Sequence, residues 1–404
     1  MHGPLENITV IDLSRVLAGP WASQMLADFG ANVIKIERPY TGDETRYWGP
    51  PFIKNKTTHQ PPQSAYYHCT NRNKKSIAID INNSKGQEII RELIKNADVV
   101  IENFKVGGLV KYGLDYQSIK KVNPDIVYCS ITGFGQNGPS SHRAGYDAMI
   151  QGEGGLMSLT GESDGDPMKV GVALVDVMAG LYSCNAILAS LMAKDKINKG
   201  QHIDISLLDV QAATLANQGM NFLATKNNPN RHGNAHPNIV PYQTFKTLDG
   251  RIILAIGNDD QFSKFCEFAE CTHLSADPKY SSNENRVKNR RSLIPTLIKV
   301  MKSNTTMWWI EGLEGIGVPC GPVNNLSQVF GHPQIKHRKV VKQVPDVDGN
   351  PVDTIASPIN LSETPLQYIS ASPELSQHCE EILSSNLGYS EDKISKLKQS
   401  KIVS

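Results

Sequence analysis

The sequence predicts an α/β protein: a large, doubly wound domain on a mostly parallel sheet, joined to a smaller α+β domain. Three observations carry this. Short apolar runs alternate with helical stretches through the first 140 residues. A polar, Asn- and Pro-rich stretch, "KNNPNRHGNAHPNIVPYQTF" (226–245), breaks the pattern. A new strand, "GRIILAIGN" (250–258), then opens a region with helices around 260–271 and 286–303. The bounds that follow are 1–225 for the large domain, 226–325 for the linker and small domain, and 326–404 for a segment returning to the large domain.

The elements follow in order. "ITVIDLS" (8–14) reads as a strand, "GPWASQMLADFG" (19–30) as a helix closed by Gly30, and "NVIKIER" (32–38) as the next strand, one βαβ unit. "KSIAIDI" (75–81) is a third strand. The helix "SKGQEIIRELIKNA" (84–97) carries an apolar stripe at 89, 90, 93, 94 and 97, and Ser84 with Gln87 has capping-box spacing. "DVVIENF" (98–104) and "DIVYCSITGFG" (125–135) complete a Rossmann-like alternation, in which ligands bind beyond the carboxyl ends of the strands. Residues 177–194 suit a long helix, and 201–225 a strand followed by a helix.

Composition excludes several classes. A formal net charge of +1, from 41 basic and 40 acidic residues, gives no electrostatic case for nucleic acid or an anionic membrane. No apolar run approaches the roughly 20 residues that span a bilayer. The seven cysteines (69, 129, 184, 266, 271, 320, 379) form no CxxC pair, so zinc and dithiol sites are not expected and no metal is predicted. Reduced thiols fit a cytosolic or matrix compartment. The first residues read as neither a signal nor a transit peptide.

The chemistry-bearing motifs are few. There is no GxxxxGK[ST] loop, no HExxH and no GxSxG. "GFGQNG" (133–138) has dinucleotide spacing, but it comes late and Pro139 follows it. It reads as a tight ligand-facing loop or a plain turn rather than a nicotinamide site. "VGVALVDVMAGL" (170–181) sets Asp176 alone among apolar residues before a helix. A plain N-cap explains such a carboxylate, and spacing alone favours that reading. A nucleophile toward an activated acyl group is the alternative, with the Gly-rich, flexible stretch 151–167 offering backbone N–H groups to an oxyanion. Arg38, "RNKKS" (72–76), Asn103, Phe104 and Lys111 fall near strand ends, where a phosphate-bearing ligand would sit. Each alone also reads as a solvated basic rim.

Taken together, "RVLAGPWASQMLADFGANVIKIERP", "NRNKKSIAIDI", "ADVVIENF", "DIVYCSITGFGQNGP", "RAGYDAMIQGEGGLMSLTG" and "VALVDVMAG" resemble the class III CoA-transferases, the formyl-CoA:oxalate and carnitine CoA-transferase family. The resemblance is dense from about residue 5 to 225 and thinner through "RHGNAHPNIVPYQTF" and "GVPCGPVNN". It implies an interlocked homodimer, an acyl-CoA substrate with no permanently bound cofactor, and Asp176 as the nucleophile. By residue-by-residue matching it places Val16, Leu17, Ala18, Arg38, Arg72, Asn73, Lys74, Lys75, Asn103, Phe104, Lys111 and Thr132, Gly133, Phe134, Gly135 at the CoA site. Lys111 stands where formyl-CoA transferase has Arg, which loses a bidentate phosphate fork but keeps the charge, and Leu17 stands where it has a Gln near the reacting centre, which argues against oxalate as acceptor. Whole-chain resemblance implies succinyl-CoA as donor, a dicarboxylate such as glutarate as acceptor, and a mitochondrial matrix location, otherwise a cytoplasmic one.

Two rival readings remain. The α-methylacyl-CoA racemase branch shares the fold and carries its catalytic His in an "AGHD" motif. Here the motif is "AGYDA", with Tyr146 in that place. A tyrosine, with a reference pKa of about 10, is a poor base near neutrality. The other rival is a non-catalytic acyl-CoA-binding protein. Tyr146 is a candidate substrate contact, and Arg231, His232 and His236 in the Asn/Pro-rich loop are candidates for holding a distal carboxylate, against the alternative of a solvated polar loop.

Overall fold

The computed structural model describes residues 3–53 and 61–404, apart from the side chain of Asp195. Contacts between residues divide the chain into two units. The first comprises 1–156, 170–220 and 334–404, and the second 157–169 and 221–333.

The first unit is built on six strands: β1 (Thr9–Asp12), β2 (Asn32–Glu37), β3 (Lys75–Ala78), β4 (Val99–Glu102), β5 (Val127–Thr132) and β6 (His202–Ser206). Their order across the sheet is β3-β2-β1-β4-β5-β6, and every neighbouring pair is parallel. The chain winds outward from β1 to β2 and β3, then crosses to β4 on the other side. That reversal opens a crevice at the carboxyl ends of β1 and β4, where the connecting loops diverge. Ile11 shows why the strands read as apolar runs. It pairs with Ile34 on one side and Val100 on the other and is wholly buried.

Helices cover both faces. On one, α1 (Ala18–Asp28) and a long helix, Leu174–Ile197, pack over Val10, Val33, Val99 and Ile131. On the other, the helix Ser84–Lys95 joins the C-terminal segment, whose Ile382, Leu383, Ile394 and Leu397 pack with Ile34, Ile77 and Ile90. The helix 84–95 is capped by Asn83, whose side chain accepts the Lys85 N–H at 2.9 Å, not by Ser84. The Gln87 amide donates to the Ile81 carbonyl at 3.1 Å, so the expected Ser84–Gln87 box does not form.

The helix Leu174–Ile197 is long and apolar enough, by length and composition, to cross a membrane. That corrects the expectation that no apolar run approaches that length. Here it packs against α1, β5 and β6. The Gly-rich stretch 151–167 is not a continuous flexible loop either, since helices Asp147–Glu153 and Leu156–Leu159 take up part of it.

The second unit holds an antiparallel sheet with Arg251–Ala255 between Tyr242–Lys246 and Cys320–Pro322. Phe245, Phe265, Leu293, Leu297 and Trp309 join strands and helices in its core. This is the α+β pattern.

Candidate active site

The crevice expected from strand order is present. One cleft, bounded by Arg38, Glu37, Asp43, Ile79, Asn82 and Tyr112, lies at the carboxyl ends of β1, β2 and β3. A second, bounded by Val16, Leu17, Ala18, Thr132, Gly133, Tyr146 and Asp176, lies beyond β1, β4 and β5. Arg15, Glu44 and Phe104 line both.

The turn after β1 forms the wall between them, and it is held in a costly shape. Val16 has φ 73°, a left-handed conformation that a β-branched residue rarely adopts. Its N–H donates to the Asp43 carboxylate at 3.2–3.3 Å. Asn103 grips the preceding residue in both directions, accepting the Arg15 N–H at 3.0 Å and donating to the Arg15 carbonyl at 2.7 Å. The Phe104 N–H in turn donates to Glu102 at 2.8 Å. A strained turn pinned from two strands is a preorganised binding element. Leu17 and Ala18 then lead into α1.

Asp176 is the third residue of the helix Leu174–Ile197, not its N-cap; Ala173 holds that place and has no capping side chain. Among the described residues no group donates a hydrogen bond to its carboxylate. Burial, and then the Asp147 carboxylate, push the Asp176 carboxyl up to about 7. Tyr66, which no motif signalled, faces the same carboxylate. Burial and the Asp176 charge raise its phenol above its ordinary range. Its ring meets Trp48, a wall residue of the cleft, edge to face at 5.4 Å.

The remaining predicted residues separate into those at the cleft and those away from it. Thr132 and Gly133 line it. A Cβ on Gly133 would lie 2.6 Å from Gly145 Cα, so the two backbones come together only because both are glycine. Phe134 and Gly135 do not line it. Phe134 lies under the Arg143 guanidinium at 4.3 Å, and the Gly135 N–H donates to Thr132 Oγ1 at 2.9 Å. Tyr146 is 62% exposed at the cleft mouth. Lys111 is exposed, its ammonium 4.6 Å from the ring of Tyr112.

The "RNKKS" group does not line either cleft, and its side chains have protein partners: Arg72, Asn73 and Lys74 inside the fold, Lys75 at the surface. Arg72 is buried against Asp28, its Nε donating at 2.9 Å, and its Nη1 donates to the Ile355 carbonyl. Asn73 donates to Asp28 and the Gln367 carbonyl. Lys74 is wholly buried, donating to Asp12, the Pro20 carbonyl and Asn71. Lys75 pairs with Glu381 at 2.7 Å. Arg15 is paired with Glu44 and Arg143 with Glu153. Arg38 and Lys105 are the cleft cations with no carboxylate partner among the described residues.

Arg231, His232 and His236 belong to the second unit. Arg231 donates to the main-chain carbonyls of Glu162 and Gly165. Burial, and then Arg290, lower both histidines, and His236 stacks on Tyr242 at 5.3 Å.

The chain is similar to known proteins in both sequence and fold. The family described as CoA-transferase family III matches residues 5–379. A succinate–glutarate CoA-transferase of Agrobacterium fabrum is 47% identical over 385 residues, 94% of this chain and 95% of its own. A human succinyl-CoA:glutarate CoA-transferase is 42% identical over 400 residues, 99% of this chain and 90% of its own. A solved CaiB/BaiF family protein from Brucella suis superposes with a TM-score of 0.85 at 47% identity, covering 96% of this chain and all of that one.

Proposed function

The chain belongs to CoA-transferase family III, and from that membership we propose that it moves CoA from succinyl-CoA to glutarate or a similar dicarboxylate through covalent catalysis at Asp176. It is an enzyme that transfers CoA. The observation that carries the mechanism is the Asp176 carboxylate, set in a cleft at the strand ends with no hydrogen-bond donor among the described residues.

The steps balance without ATP. An Asp176 oxygen attacks the thioester carbonyl, the C–S bond breaks, and CoA leaves as thiolate, giving a mixed anhydride. The thiolate attacks the aspartyl carbonyl of that anhydride and releases the first acid, giving an aspartyl-CoA thioester. The incoming carboxylate attacks this thioester and expels CoA thiolate, forming a second anhydride. The thiolate then attacks the new acyl carbonyl and frees Asp176. Thioester energy is conserved through each exchange.

Arg38, with no carboxylate partner among the described residues, lines the cleft at the ends of β1, β2 and β3 and is suited to the phosphate end of CoA. The pinned turn Arg15–Leu17 is suited to guide the thioester toward Asp176. The glutarate reading rests on the relatives' names, and an acceptor screen tests it. With succinyl-CoA and a panel of acids, glutaryl-CoA should be the main product by mass spectrometry; transfer only to monocarboxylates would contradict it. A homodimer also fits the helix Leu174–Ile197, which is apolar yet leaves Tyr182 and Met192 exposed. Mass photometry should then show a dimer at nanomolar concentration, and a monomer would remove that part of the reading.

A further inference from the structure

An aspartate in the first turn of a helix ordinarily benefits from the free N–H groups and the dipole there, and both lower its pKa. Asp176 does not receive that benefit, and the reason is visible. Asp147, 29 residues earlier in sequence, places its Oδ1 at the end of this helix. That oxygen accepts the Val175 N–H at 2.8 Å and lies 3.4 Å from the Asp176 nitrogen. The helix N-cap is Ala173, so a carboxylate from another helix does the capping.

Asp147 is itself locked. Its Oδ2 accepts from Gln151 Nε2 at 2.7 Å, and the side-chain Oε1 of Gln151 accepts the Val170 N–H at 2.8 Å. Gln151 is wholly buried. Asp147 and Gln151 are one helical turn apart in Asp147–Glu153, so this short helix is a bracket that ties the segment entering the long helix to the cleft wall.

We propose that Asp147 is a positioning residue for the transfer reaction: it takes the first-turn N–H groups and sets its charge beside Asp176, leaving that carboxylate poorly solvated by donors and a stronger nucleophile. The inference rests on Asp176 being the nucleophile. The other ionisable groups at this cleft are Tyr66, Tyr146, Lys105, and the Arg15–Glu44 and Arg143–Glu153 pairs. Burial first, and then the Asp147 charge, raise the Asp176 carboxyl.

The test compares the unmutated protein with Asp147→Asn and Asp147→Ser. Asp147→Asn keeps an oxygen at the place that accepts the Val175 N–H, Asp147→Ser leaves a shorter hydroxyl there, and both remove the charge. The Ser variant also avoids placing an amide opposite the Gln151 amide. The Asp176 titration is followed in the free protein by ¹³C NMR of labelled aspartate, and kcat/KM for acyl-CoA is measured against pH. In folded variants the titration and the acid limb of kcat/KM should both move down by about one pH unit or more. At high pH kcat should fall about tenfold while KM stays close to its unmutated value. An unmoved Asp176 titration in a folded variant overturns the proposal, and so does a loss confined to KM. The NMR arm does not depend on catalysis. Failure of the nucleophile reading would appear separately, as transfer activity surviving in Asp176→Asn.

Discussion

Two aspartates in the same unit meet burial in opposite ways. Asp12, at the end of β1, is wholly buried. Burial pushes its carboxyl up, but Lys74, Lys35 and the Ser14 and Ser23 hydroxyls outweigh that and hold it at about 2. Asp176, at the start of the long helix, faces Asp147 instead of a cation, and its carboxyl rises to about 7. Around Asp12 every charge has a partner: Lys74 with Asp12 at 3.1 Å, Lys35 with Asp43 at 3.0 Å, Arg46 with Glu37 at 2.6 Å. That network lies beneath the strained turn at Val16 and fixes its shape, since Asp43 serves both Lys35 and the Val16 N–H. Paired buried charges therefore build the cleft wall here, and Asp176, with no cation partner among the described residues, lines the cleft itself.

The contrast predicts opposite consequences for stability. Lys74→Met should destabilise the first unit by about 3–5 kcal/mol, because it strands the Asp12 charge in a dry interior. Chemical denaturation at pH 7 would measure it, and a neutral effect would mean that Lys35 alone satisfies Asp12. The smaller effect has the other sign. The Asp176 carboxyl lies above its ordinary value of 3.8 in the folded state, so it holds its proton more tightly there than when unfolded. Its ionisation weakens the fold progressively as pH rises from about 4 through about 7. Asp176→Asn should thus stabilise the protein at pH 8 by about 1 kcal/mol, discounted for partial exposure, and leave it unchanged at pH 4. Equal melting temperatures at pH 8 would show that the carboxylate is not strained in place.

These two regions also differ in how much of them the sequence discloses. The strands were readable as apolar runs because each is buried on both faces, as Ile11, Ile34 and Val100 are. The crevice followed from the strand–helix alternation. Asp176 stood out because nothing around it in sequence is polar. Arg72 and Lys74 did not disclose their role. Their partners, Asp28 and Asp12, are 44 and 62 residues away in sequence, so a buried ion-pair network reads as a solvated basic run. The role of Asp147 is hidden in the sequence for a related reason. Its neighbour Tyr146 in "AGYDA" drew the comparison with a catalytic histidine, while its capping partner lies 28 residues on. The spacing of Asp147 and Gln151, four residues apart at the head of a short helix, was the only local signal. The cap of the helix 84–95 shifted by one residue to Asn83 because Asn and Ser are both good caps and stand side by side.

The most direct test of the account is to catch the enzyme in mid-transfer. The protein is incubated with succinyl-CoA without acceptor and trapped with hydroxylamine or borohydride. The peptide carrying Asp176 is then sequenced by mass spectrometry. The account predicts one modified carboxylate, at Asp176, formed only when acyl-CoA is present and absent from Asp176→Asn, which should also lose several powers of ten in transfer rate. Modification at another carboxylate, or full transfer by a folded Asp176→Asn, would contradict it.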